Sequence, residues 1–187
     1  KSVSEFIAMA KANPGKLNFG SAGIGGIPHL SGERFQALSG TKMTHVPYKG
    51  TALAVPDLIA GRLDVIFDSF SAGYPHVRDG KVRALGVTSA SRAEAAPTIP
   101  TIAEQGFSGF DIGLWVGVWA PSATPQAILQ KLNTDINRAL GDSEVKSAYA
   151  KAGITIKPMN LAETEKFVRS EISKYTKIAK DAGIEPQ

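Results

Sequence analysis

The chain has 187 residues, of which 43% are hydrophobic and 20% charged, with a net charge of +4 and no cysteine. That composition excludes disulfides, thiolate catalysis and cysteine-based zinc sites, and no window approaches the ~20 continuous apolar residues of a membrane-spanning helix. The lysines and arginines are scattered, which suits a small anion better than the basic stripe of a nucleic-acid binder.

In chain order, Ser2 and Glu5 have capping-box spacing, and Phe6, Ile7, Met9 and Ala10 follow with helical periodicity until Asn13, Pro14 and Gly15 stop it. Residues 17–20 read as a strand. A helix over 28–38 places Leu30, Phe35 and Leu38 on one face and closes at Gly40. The pattern then repeats: a strand over 43–46, a polar turn over 47–50, Thr51 as helix cap, and a helix over 53–60 that Pro56 should kink and Gly61 ends. A third unit follows, with a buried strand over 63–67, a polar exit at Asp68 and Ser69, a short helix over 71–77 and a strand over 83–87.

Beyond Thr88 the chain is irregular through Pro97 and Pro100, with one helical turn over 102–105. Residues 112–120, which hold both tryptophans, read as a long strand. Thr124 as cap and Pro125 at the first position start a helix reaching residue 140. A short helix, a strand over 154–157 and a final helix capped by Asn160 with Glu163 complete the chain.

Three consecutive strand-to-helix units predict right-handed crossovers and a parallel sheet flanked by helices, an α/β fold. In such sheets ligands sit beyond the carboxyl ends of the strands. The connections expected there are residues 21–26, 47–50 and 68–71.

The first connection, Ser21, Ala22, Gly23, Ile24, Gly25 and Gly26, runs straight into a helix. Such a loop presents backbone amides and the positive end of a helix dipole to an anion. It equally suits a tight turn that needs positive φ. The spacing matches neither a Walker A loop nor a G-x-G-x-x-G dinucleotide motif, so no nucleotide and no other cofactor is expected. His29, one turn into the helix, is near enough to donate to whatever the loop holds, or is a packed helix residue. His29, His45 and His76 fall in separate elements without metal-ligand spacing, so no metal is expected. Tyr48 and Lys49, with the Gly50 amide behind them, offer a phenol and an ammonium to a carboxylate, or form a solvated turn. Asp68 and Ser69 either cap the next helix or meet a ligand hydroxyl, ammonium or water. No nucleophile-and-base set emerges, and an enzyme is not expected.

The segments LNFGSAGIGGIPHLSGERF, THVPYKGTALAVPDLIAGRLDVIFDSFSAG, RALGVTSASR, PTIPTIAEQG and WAPSATPQAILQKLN resemble the substrate-binding receptors of tripartite tricarboxylate transporters, the TctC or Bug-type extracytoplasmic proteins. The resemblance runs nearly end to end, and its most specific pieces are the VPYKG turn, the FDS strand exit, and the PT-x-PT-x-AE-x-G and AP-x-x-TP segments. It implies a periplasmic-binding-protein-like fold of type II, with two lobes closing on a small organic carboxylate of di- or tricarboxylate type, delivered to permease subunits in the membrane. Carried over, the ligand contacts fall on Ser21, Ala22, Gly23, Gly25, Gly26, His29, Tyr48, Lys49, Gly50, Asp68 and Ser69.

Family members begin with a signal peptide and a first-lobe segment that this chain lacks. The resemblance therefore implies a piece of a longer receptor, with residues 1–113 forming the second lobe, 114–120 the interlobe return strand, and 121–187 the C-terminal part of the first lobe. The whole receptor is expected to be monomeric and periplasmic, without nucleic acid as a partner. The piece alone is expected to bind ligand weakly or not at all, and to dock its C-terminal part on its own lobe or on a second copy. Another reading is the effector-sensing domain of a transcription regulator, which an upstream helix-turn-helix would favour and an export signal would oppose.

Overall fold

The computed structural model describes residues 2–184. Helix α1 (Val3–Ala12) opens on a reciprocal cap, in which the Glu5 amide donates to Ser2 Oγ at 3.2 Å and the Ser2 amide donates to Glu5 Oε2 at 3.0 Å. Strand β1 (Asn18–Ser21) follows, then α2 (Ile27–Ser39), which carries Pro28 in its first turn and stops at Gly40 in the left-handed region. Strand β2 (Thr44–Pro47), helix α3 (Thr51–Ile59), strand β3 (Val65–Ile66) and helix α4 (Phe70–Arg78) complete the three strand-to-helix units.

The sheet has the order β2-β1-β3, and both pairings are parallel. Parallel pairing with a helix after each strand is what the alternation predicts, so the α/β reading stands. Because side chains alternate along a strand, β1 sends Phe19 to one face and leaves Gly20 on the other. On the first face Phe19 joins Val3, Phe6, Leu30, Phe35, Phe110, Ile112 and Ile178 in one buried cluster. On the second face the room is taken by the partner side chains: a Cβ on Gly20 would lie 2.6 Å from Leu63 Cδ1 and 3.3 Å from Ala54 Cβ. A central strand with a phenylalanine on one side and nothing on the other lets α3 close tightly onto the sheet.

After α4 the chain runs irregularly to a 3-10 turn (Ala103–Gln105), and three helices follow, α5 (Gln126–Leu140), α6 (Ser143–Lys151) and α7 (Leu161–Asp181). Helix α7 carries the reciprocal Asn160 and Glu163 cap that its spacing predicts. Its last turns dock on the sheet domain, where Ile178 enters the core cluster and Tyr175 and Ala179 pack against it. The Tyr175 hydroxyl also accepts from the Gly113 amide at 3.2 Å and donates to the Gly113 carbonyl at 2.8 Å. Burial pushes that phenol above its usual titration range, which keeps the donating proton in place. Helices α5 and α6 hold no buried residue.

Three predicted strands do not form. Residues 83–87 contribute a single parallel bridge, Val87 with Thr101, while 112–120 and 154–157 have no ladder among the described residues. The apolar pattern of the second is real, but a strand needs a neighbouring edge for its amides, and none is offered there. Val116, Val118 and Trp119 are instead 90%, 76% and 67% exposed. Smaller departures concern caps: Gly50 occupies the cap position of α3, Pro125 that of α5, and α4 starts at Phe70.

Gly32 marks the closest approach of α2 to the sheet, since a Cβ there would fall 2.7 Å from Phe19 Cδ2 and closer still to Cε2. Gly32→Ala is expected to destabilise the fold by about 1–3 kcal/mol in urea unfolding, because overpacking here outweighs alanine's helix propensity. An unchanged midpoint would mean that α2 lifts off Phe19 without cost.

Candidate functional site

Parallel pairing fixes where the loops go: β1, β2 and β3 all end at one edge of the sheet, so the connections after Ser21, Pro47 and Ile66 gather there. The first two are direct neighbours, since a Cβ on Gly23 would lie 3.7 Å from the Tyr48 carbonyl oxygen.

The glycine-rich loop is pinned by side chains of its own unit. The Gly23 amide donates to Ser21 Oγ at 3.0 Å, and the Gly25 amide donates to His29 Nδ1 at 3.0 Å. Gly23 and Gly25 sit at φ of 126° and 78°, which lets the chain turn twice within a few residues. The Ile24 amide makes no hydrogen bond within the described residues, the Gly26 amide closes only a loose turn toward the Gly23 carbonyl without a well-formed hydrogen bond, and both lie at the start of α2. Helix α2 has no acidic residue in its first turn and no side-chain cap, so its positive end is left uncompensated. An arrangement of this kind can receive a carboxylate.

Behind the loop lies a pair of histidines. The His29 and His45 rings stack with centroids 3.8 Å apart and planes 11° apart, and Phe19 lies against His45 at 4.8 Å. His45 Nε2 is 2.6 Å from Ser21 Oγ, a hydroxyl on a residue with no solvent exposure. Burial, and then the neighbouring His29, lowers the His45 pKa to about 4. Burial lowers that of His29 as well. Both rings are therefore neutral near pH 7. Since His29 Nδ1 accepts from Gly25, its proton is on Nε2, which faces Glu33 Oε1 at 3.6 Å. Burial raises the Glu33 pKa, against an opposing hydrogen bond from Gln36.

The residues expected to meet a ligand thus divide. Ser21 and His29 are buried and serve the loop from within, His29 accepting from it where a donor toward ligand was expected. Ala22 and Gly25 are exposed at the rim, and Gly26 is half-buried. The Tyr48 hydroxyl donates to Asp57 Oδ2 at 2.6 Å, and Arg62 bonds the same carboxylate, so the phenol is already engaged. Lys49 is exposed and has no ion-pair partner among the described residues. Gly50, at φ of 133°, caps α3 through its backbone.

Asp68 Oδ1 accepts from Thr51 Oγ1 at 2.6 Å and from the Ser69 amide at 2.8 Å, a brace tying the starts of α3 and α4 together. Thr51 spends its hydroxyl on this brace and not on a helix cap. Ser69 occupies the cap position of α4 without a capping bond, and its hydroxyl lies 3.5 Å from that of Ser71. No group of three His, Cys, Asp or Glu among the described residues could hold a metal ion.

Sequence reasoning missed His45. Its signal was present in the register: Phe19 and His45 are paired positions on adjacent strands, hence on one face, and α2 with His29 covers that face.

The histidine pair sets a pH dependence. His45 stays neutral in the folded chain down to about pH 4, against an ordinary value of 6.5, so between those values the unfolded chain binds more protons. Stability is accordingly expected to fall as pH drops from 6.5 toward 4, by up to about 3 kcal/mol from this group. Urea midpoints across that range test this, and a His45→Phe variant with the wild-type slope would refute it.

The chain is similar to known proteins over nearly its whole length. The family described as "Tripartite tricarboxylate transporter family receptor" matches residues 1–184. A UPF0065 protein from Pseudomonas sp. (strain P51) is 41% identical over 155 residues, covering 82% of this chain and 46% of its own length. Among solved structures, an R. palustris protein with adipate has a TM-score of 0.90 at 35% identity, covering 100% of this chain and 62% of that one. MatC from Rhodopseudomonas palustris with bound malate has a TM-score of 0.82 at 31% identity, covering 95% of this chain and 62% of that one. This chain thus spans about half to two thirds of each of them. It belongs to the tripartite tricarboxylate transporter receptor family.

Proposed function

We propose that this chain is the larger part of an extracytoplasmic solute receptor that captures a small organic di- or tricarboxylate in the periplasm and hands it to the membrane permease of a tripartite tricarboxylate transporter. The observation that carries the reading is the free amide of Ile24 and the loosely held amide of Gly26 at the uncapped start of α2, on the sheet edge where all three loops gather. Two solved relatives are named with adipate and with malate, both dicarboxylates. Transport needs capture and release without chemistry, and backbone amides supply that: they attract an anion and offer neither nucleophile nor base.

On this reading Lys49 adds long-range attraction, while Gly50 and Ser69 line the neighbouring loops. Residues 1–113 would form one lobe of the receptor, 114–120 the strand returning to the other lobe, and 121–187 part of that other lobe. The exposed run from Leu114 to Trp119 suits a strand whose partner edge belongs to the opposite lobe. Helix α7 docking through Ile178 then ties the two lobes through the hydrophobic core.

Gly26 permits a clean test, because its φ of -69° is one that proline adopts. In the whole receptor, Gly26→Pro removes one amide proton at a φ that proline already adopts, and the Gly25 amide signal reports whether the loop keeps its shape. Affinity for adipate or malate, measured by calorimetry, is expected to fall about tenfold or more, as for loss of a hydrogen bond to a charged group. Gly26→Ala keeps the amide, and its Cβ would meet only ordinary contacts at 3.7 and 3.8 Å, so it should bind as wild type. Equal affinities in all three proteins would remove the loop from the binding site.

A further inference from the structure

We infer that His45, which touches no proposed ligand-facing group, is a positioning residue that together with His29 forms a two-ring clamp setting which loop amides face the anion. This rests on the reading of the loop as the carboxylate site. The clamp has two arms. His29 Nδ1 takes the Gly25 amide directly, and His45 takes Ser21, whose hydroxyl oxygen takes the Gly23 amide. Gly23 and Gly25 are thereby turned inward, and the alternate amides, free at Ile24 and loosely held at Gly26, are the ones left over.

The protons can be followed through both arms. Ser21 has one proton and lies 3.0 Å from the Gly23 carbonyl and 2.6 Å from His45 Nε2. When Ser21 donates to the Gly23 carbonyl, its oxygen accepts from the Gly23 amide and from His45 Nε2–H, so the hydroxyl's proton and lone pairs are all used. In the other arm the Gly25 amide needs the lone pair of His29 Nδ1. Protonation of His29 puts a hydrogen on that atom, and two N–H groups then face one another. The Gly25 amide is released and the loop loses its register.

The surroundings decide which ring takes a proton. His29 meets the Gly25 amide, Glu33 of its own helix, Phe19 from β1 and His45 from β2. His45 meets Ser21 and Phe19 from β1 and His29 from α2. Only His29 has a carboxylate nearby, so it accepts the first proton. Once it has done so, the ring stacked at 3.8 Å is held neutral by repulsion. The pair therefore behaves as a single site admitting one proton, with the loop ordered only when it holds none.

The experiment is carried out on the whole receptor with adipate and malate as probes, by calorimetry across the acid range and by nitrogen NMR of the imidazoles and of the Gly23 and Gly25 amides. The Gly25 amide is expected to titrate with the His29 ring, and the dissociation constant to rise about tenfold per pH unit below that midpoint, as for binding that must expel one proton. His45→Phe preserves a ring in the stack but leaves Ser21 unheld, so the Gly23 amide should shift and affinity should fall at neutral pH. His45→Gln restores a donor to Ser21 and should recover the Gly23 signal. A Gly25 amide that ignores the His29 titration, a pH-independent affinity, or a His45→Phe variant with unchanged amides and affinity would each overturn the inference. If neither acid binds wild type at neutral pH, the receptor reading fails for these ligands, and the amide titration alone still decides whether the clamp exists.

Discussion

The ring of Phe19 is where the hydrophobic core and the loop of the candidate site meet. It has no solvent exposure, lies beneath Gly32 of α2, and stacks against both histidines on its loop side. Burial of a phenylalanine of this kind is worth several kcal/mol, and the close approach to Gly32 sets the height of α2 above the sheet. The first turn of α2, with its loop amides, is in this way indexed to β1. The site inherits its precision from the packing beneath it.

Much of the fold was legible because local signals agreed with one another. The two capping boxes, Ser2 with Glu5 and Asn160 with Glu163, sit where their spacing puts them. The alternation of short apolar runs with helical periodicity led directly to a parallel sheet. Apart from one-residue shifts at three helix starts, failure fell on segments whose state depends on a neighbour distant in the chain. Residues 112–120 have every local mark of a strand, but pairing is a property of two segments, and apolar alternation says nothing of where the second one is.

The site was legible as a place more than as a set of side chains. Glycine density pointed to the loop, and strand order pointed to the edge, yet the Tyr48 hydroxyl and one carboxylate oxygen of Asp68 proved to be engaged with Asp57 and Thr51. A phenol or carboxylate in a motif looks available in sequence because its hydrogen-bond partners lie 9 and 17 residues away. Recognition through main-chain amides also leaves a faint trace, since Ile24 offers the same N–H whatever its side chain. His45 was hidden for the opposite reason: it acts through Ser21, and a relay is invisible until both ends are located in space.

Tyr175 grips the amide and the carbonyl of Gly113 with one hydroxyl, at the threshold of the exposed run that begins with Leu114. Such a two-handed hold on a residue without a side chain fixes the position of the main chain itself. Just beyond it Trp115 meets Phe167 edge-on at 5.4 Å, so the final helix anchors both the start of the tryptophan-bearing segment and its first aromatic ring.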